Sequence, residues 1–122
     1  MASIIVVSGK SRGNYLPLRQ DPSIIGRDED CTMQVLDELV SRQHLEIRYN
    51  EADNSYTAVD LNSANGVLIN GLQIEEPQSL KDNDTIVLGE SKMLFTAEDF
   101  LDREAALNFF RRGEHGKETL TQ

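Results

Sequence analysis

Short apolar or β-branched runs, each closed by turn residues, recur along the first 96 residues. Residues 4–7 form a compact apolar run ended by Ser8-Gly9-Lys10. Residues 15–18 contain Pro17, whose missing N–H fits an edge strand or a strand end. Residues 23–25 run into Gly26-Arg27, and residues 33–36 are short and apolar. Residues 44–49 alternate, with Leu45, Ile47 and Tyr49 on one face and His44, Glu46 and Arg48 on the other. A polar turn, 50–55, leads into residues 56–61. Residues 67–69 end at Asn70-Gly71, a hairpin signal because both residues tolerate positive φ. Residues 85–88 follow the polar Lys81-Asp82-Asn83-Asp84, and a last run spans 92–96. Strand after strand without a helix between them predicts an all-β, two-sheet antiparallel β-sandwich.

Beyond residue 96 the period changes. Thr96 followed by Glu98 and Asp99 reads as an N-cap with acidic residues in a first helical turn. Phe100, Leu101, Ala105, Leu107, Phe109 and Phe110 supply a broad apolar stripe. Arg111 and Arg112 suit a helix C-terminus, and Gly113 a stop. The expected organisation is a sandwich over 1–96, a C-terminal α-helix over 97–113 packed on or extending from it, and a polar flexible tail over 114–122.

Composition narrows the function more than the fold. The chain has 122 residues, one domain's worth, and a formal net charge of −9. Such a surface repels phosphodiester backbones and anionic membranes, so neither nucleic acid nor membrane is an expected partner. Cys31 is the only cysteine, which excludes an internal disulfide and a multi-thiolate metal site; it reads as a small residue in or near the core. His44 and His115 stand apart from any acidic or thiol cluster, and no metal or cofactor is expected. No apolar stretch matches a membrane helix, and residues 3–7 are too short for a secretory signal, so a cytoplasmic location is expected.

Three clusters break the strand pattern with specific chemistry: Gly26-Arg27, Ser41-Arg42-Gln43-His44, and Asn62-Ser63-Ala64-Asn65-Gly66 leading to Asn70-Gly71. Each alone reads as an ordinary polar turn. Together they suit a phosphate monoester, which needs positive charge and donors converging from several directions. Arg27 and Arg42 offer guanidinium forks, Ser41 a hydroxyl, and Asn65 both a donor and an acceptor for an extended peptide backbone.

The order Gly26-Arg27, Ser41-x-x-His44, Asn65-Gly66, Asn70-Gly71 resembles the signature of the forkhead-associated (FHA) family. Residues 24–27, 40–47 and 60–71 carry the likeness, and the polar turn before residues 85–88 with its closing Gly89 extends it across roughly 4–96. The resemblance implies an eleven-stranded sandwich that reads phosphothreonine through loops at one end. It implies Arg27 and Ser41 on the phosphate, Arg42 for charge and peptide contacts, and Asn65 on the peptide main chain. Gly26, His44, Gly66, Asn70 and Gly71 match positions that shape loops. The implied partner is a phosphothreonine-containing protein segment, from a Ser/Thr protein kinase or its substrate. The implied role is an adaptor or regulator in Ser/Thr kinase signalling.

One position departs from that pattern. Many members carry Thr or Ser before the Asn-Gly pair, where this chain has Ala64. Losing one hydrogen bond costs on the order of 1 kcal/mol, so weakened binding is expected. Ala64 and the apolar C-terminal stripe also leave open a phosphate-independent assembly or scaffold subunit. An enzyme is not expected, because Ser41 and His44 lack an oxyanion-hole sequence and no paired carboxylates or metal set accompany them. Thr119 and Thr121 in the tail are candidate phospho-acceptors for the same site, although an unmodified tail is the simpler reading.

Overall fold

In the computed structural model, which describes residues 2–97, eleven strands form two sheets. They are β1 Ser3–Val6, β2 Tyr15–Pro17, β3 Ser23–Gly26, β4 Met33–Gln34, β5 Leu45–Asn50, β6 Ser55–Asp60, β7 Leu68–Ile69, β8 Leu72–Gln73, β9 Gln78–Ser79, β10 Thr85–Leu88 and β11 Ser91–Thr96. One sheet has the order β2-β1-β11-β10-β7-β8, the other β4-β3-β5-β6-β9. The strand carrying Pro17 is an edge strand, which spares the missing donor. β1 pairs antiparallel with β11, so Ser3 lies opposite Thr96 and the two ends of the sandwich are neighbours.

The apolar alternation supplies the core. Ile4 and Val6 of β1, Ile86 and Leu88 of β10, and Met93 and Phe95 of β11 meet Ile25, Leu45, Ile47, Tyr56 and Ala58 of the other sheet. Tyr56 sets its ring edge-on to Phe95 across the layers, with centroids 6.1 Å apart. Every buried side-chain N or O among the described residues has a hydrogen-bond partner, as a well-packed native interior requires.

Three expectations need adjustment. β3 and β4 pair in parallel, Ile25 opposite Met33, so the sandwich is not wholly antiparallel. The chain doubles back through 27–32 instead of making a hairpin, and Thr32 Oγ1 accepts the Ile24 N–H at 2.9 Å to hold it there. β8 and β9 lie where the residue pattern delineated no strand; both are exposed two-residue edges, so no burial alternation marks them. β5 begins at Leu45, and His44 before it is fully buried, not on the outer face with Glu46 and Arg48. The helix expected over 97–113 and the tail over 114–122 lie outside the described residues, except that Ala97 follows directly on β11.

The central position of β10 makes its core residues the most sensitive. Ile86→Ala is expected to cost about 2–5 kcal/mol, against about 0.5 kcal/mol or less for exposed Lys92→Ala. Urea unfolding checks this as a lowered midpoint with an unchanged slope for the first variant only.

Candidate functional site

Three connections converge at one end of the sandwich: β3–β4, β4–β5 and β6–β7. Gly26 closes β3 against the β4–β5 loop. A Cβ on it would lie 2.1 Å from the carbonyl oxygen of Arg42, so only glycine permits this approach. The main chains then zip together. Arg27 N–H donates to Ser41 O at 3.0 Å and Asp28 N–H to Arg42 O at 3.1 Å.

His44 locks the second pair of loops. Its Nδ1 accepts the Ser41 N–H at 3.0 Å, and its Nε2 lies 2.7 Å from Gly66 O. A nitrogen that accepts cannot carry the proton, so the ring is the Nε2–H tautomer donating to Gly66. The main-chain N–H of His44 donates to Ile25 O, and its carbonyl accepts from Leu61.

On this base stand the side chains. Arg27 Nε donates to Val40 O at 3.0 Å, which fixes the exposed guanidinium and leaves its Nη hydrogens free to face a ligand. Arg42 is exposed, and among the described residues neither guanidinium is paired with a carboxylate. Both line a depression of about 350 Å³ with Asp28, Glu29 and Gln34. Ser41 Oγ accepts the Ala64 N–H at 3.0 Å. That contact consumes a lone pair and leaves the hydroxyl hydrogen to be donated. Asn65 Nδ2 donates to Leu39 O at 2.8 Å, leaving Oδ1 and a second N–H on an exposed side chain.

Ala64 is exposed and contributes no polar atom, and Ser63 does not stand in for one: its Oγ accepts the Gly66 N–H at 3.0 Å. Asn70 and Gly71 fall elsewhere. They make the β7–β8 turn with φ of 52° and 84°, at the opposite end of β7 from Asn65 and Gly66. Asn70 exchanges side-chain bonds with Asp84 and the Thr85 N–H, tying that turn to β10.

Two supporting residues escaped the motif reading. Asp37 holds the β4–β5 loop down: Oδ1 accepts the Leu39 N–H at 2.9 Å, and Oδ2 accepts the Glu90 N–H and the Ser91 hydroxyl, each at 2.8 Å. Burial works to raise its pKa, but those three donors and the charge of Lys10 outweigh it, and the carboxyl sits below its usual 3.8. Cys31 is half-buried rather than a core residue; its thiol donates to Arg42 O at 3.0 Å. Burial, followed by the charges of Asp28 and Asp30, pushes that thiol above its usual 9.0, against the pull of one hydrogen bond at Asp28. Only the Asp37–Leu39 contact is local enough to have been signalled by sequence.

A rigid β-sandwich gathering two guanidiniums and a hydroxyl on its loops defines an interaction module. A sequence model of the FHA domain matches residues 23–89, more than half of the chain. The FHA domain-containing protein FhaA of Mycobacterium tuberculosis is 40% identical over 82 residues, 67% of this chain but 15% of FhaA. The chain thus spans a small part of that relative's length. An FHA domain solved in a study of phosphothreonine-dependent FHA interactions superposes with a TM-score of 0.71, at 32% identity, over 81% of this chain and 98% of that one. The FhaA FHA domain complexed with an intracellular domain of another protein gives 0.69 at 34% identity, over 78% and 99%. The chain belongs to the FHA family.

Two outcomes follow from this geometry. Gly26→Ala should destabilise the protein by on the order of 3 kcal/mol, since backbone must move, and should shift the amide resonances of Ser41 and Arg42. For Asp37 the lowered carboxyl pKa adds stability that is present above pH 3.8 and lost as pH falls through the depressed value. Asp37→Asn is therefore expected to lower the melting temperature at pH 7, with the gap to wild type closing under stronger acid.

Proposed function

We propose that the chain is a phosphothreonine-dependent protein–protein interaction module, acting as an adaptor or regulator in Ser/Thr kinase signalling in the cytoplasm. The observation that carries this reading is the Ser41 hydroxyl. One of its lone pairs is taken by the Ala64 N–H, so its hydrogen is left to donate on the loop that carries Arg42, and among the described residues neither Arg42 nor Arg27 is ion-paired with a carboxylate. A phosphate monoester brings close to two negative charges and three acceptor oxygens to such donors.

In this reading Arg27 and Ser41 hold the phosphate, and Arg42 adds charge and peptide contacts. Asn65, anchored on the Leu39 carbonyl, offers its remaining groups to the main chain beside the phosphothreonine. Gly26, His44 and Gly66 set the loop geometry and touch no ligand. The partner is a segment of a Ser/Thr protein kinase or of its substrate. The likeness to an FHA domain studied for phosphothreonine-dependent interactions supports this assignment. No catalysis is proposed, and the described residues hold no group of His, Cys, Asp and Glu suited to a metal ion. No helix among them is long and apolar enough to cross a membrane.

Calorimetric titration with a degenerate peptide pool, presented as phosphothreonine, phosphoserine and unmodified threonine, tests the reading. Micromolar binding, about −8 kcal/mol, is expected for phosphothreonine alone and is abolished by Arg27→Ala or strongly weakened by Ser41→Ala. Restoring a hydroxyl with Ala64→Thr should tighten binding about fivefold, on the order of 1 kcal/mol. Equal heats from phosphorylated and plain peptides, with all variants folded, would overturn it in favour of a phosphate-independent scaffold.

A further inference from the structure

A further connection reaches the loop end of the sandwich. β7 runs away from Asn65 and Gly66, and β8 runs back beside it, with Gln73 opposite Leu68. β9 then pairs with β6, Gln78 opposite Ala58 and Ser79 opposite Thr57, so its start faces the end of β6. The β8–β9 connection, 74–77, is thereby carried to the same end as Ser41 and Asn65. Contacts tie it there. Ile74 N–H donates to Val67 O at 3.0 Å, and the Gln73 side chain lies against Gly66, where a Cβ would come within 2.8 Å of its Nε2. Ala64, whose N–H meets the Ser41 hydroxyl, is two residues before Gly66, at most about 7 Å of chain.

From this connection a groove of about 610 Å³ runs between the edges of the two sheets to Asn70, Lys81 and Asp84. Among the described residues β8 ends the six-stranded sheet and β9 the five-stranded one, so a backbone edge is open on each side. Leu72 and Ile74, alternate positions on one extended segment, both line it. Leu72 is 74% exposed, whereas Ile74 packs partly on the core. Glu75 and Glu76 stand exposed at the mouth beside Gly66, and neither is ion-paired among the described residues. Asp84, at the far end, is already engaged by Asn70 Nδ2 and the Lys81 N–H.

We propose that this groove takes the continuation of the bound segment: an extended flank of the phosphothreonine carrying Lys or Arg for Glu75 and Glu76 and an apolar side chain for Leu72 and Ile74. The inference rests on the phosphothreonine reading of the adjoining loops and adds the chemistry of the flank. An extended peptide laid along an open edge gains main-chain hydrogen bonds, and the side chains beside that edge choose its sequence. Charge names the occupant. A second copy brings a net −9 to two unpaired glutamates and is repelled, whereas a basic flank is drawn in. The two signs of charge on the ligand are then read at separate points, phosphate at the arginines and cation at the β8–β9 connection.

Phosphothreonine peptides with degenerate flanks, retained on the immobilised full chain and sequenced by mass spectrometry, test it. Wild type is expected to enrich Lys or Arg together with an apolar residue on one flank. Glu75→Lys/Glu76→Lys should still retain phosphothreonine peptides but lose the basic enrichment, and Leu72→Asp should lose the apolar one. Asp21→Lys/Glu51→Lys makes the same charge change at exposed positions of the opposite end and should keep both. In a selected peptide, Ala in place of the basic residue should weaken binding to wild type about fivefold and leave binding to Glu75→Lys/Glu76→Lys unchanged. The inference is overturned if wild type enriches no basic residue. It is overturned equally if the enrichment survives in Glu75→Lys/Glu76→Lys, which would place it at Asp28 and Glu29. Equal retention of unphosphorylated peptides by wild type is a different result: it sinks the phosphothreonine reading itself, and this inference with it.

Discussion

A single neutral imidazole holds the loop end of this protein together. His44 is fully buried and satisfies a donor, the Ser41 N–H, with one nitrogen and an acceptor, the Gly66 carbonyl, with the other. Neither the opposite tautomer nor a doubly protonated ring serves both neighbours. Because its own main chain is tied to Ile25 and Leu61, the ring fixes the β4–β5 and β6–β7 connections relative to both β3 and β6. The Ser41–Ala64 contact, and with it the direction of the Ser41 hydroxyl, is a consequence of that placement. Buried hydrogen bonds of this kind matter more for the geometry they impose than for their net energy.

Much of this was legible in the sequence, and the parts that were not share a cause. The alternation of Leu45, Ile47 and Tyr49 against Glu46 and Arg48 marks a half-buried strand, because side chains there answer to two environments. Asn70-Gly71 marks its turn through backbone conformation alone. β8 and β9 gave no such sign, since Leu72, Gln73, Gln78 and Ser79 all face solvent and only main-chain pairing makes them strands. The parallel partnership of β3 and β4 is likewise a backbone event. At the loop end, Arg27, Ser41, Arg42 and Asn65 could be singled out by chemistry, and the structure gathers them on adjoining connections. The supports under them could not. Asp37 meets Glu90 and Ser91 across more than fifty residues of chain, and the Cys31 thiol reaches a carbonyl, a partner that leaves no signature in sequence.

The electrostatics of the loop end are mixed rather than simply basic. Asp28 and Glu29 line the same depression as Arg27 and Arg42, on a protein that is strongly acidic overall. Neighbouring carboxylates set a threshold. Under the proposed reading, a ligand with one charge gains little against that background, while a phosphate with nearly two charges and well-placed acceptors overcomes it. Selectivity against ordinary acidic segments then resides in what surrounds the arginines as much as in the arginines themselves.

The pairing of β1 with β11 has a mechanical meaning. Ser3 and Thr96 sit side by side at one end of antiparallel neighbours, so tension applied through the two ends opens the ladder like a zipper, one pair at a time, instead of shearing all its bonds together. Resistance is then set by the strength of the weakest rung. Such a domain can be spliced into a longer polypeptide with little distortion, as both connections emerge at one spot. Under load it should yield from that spot first, parting the six-stranded sheet between its second and third strands.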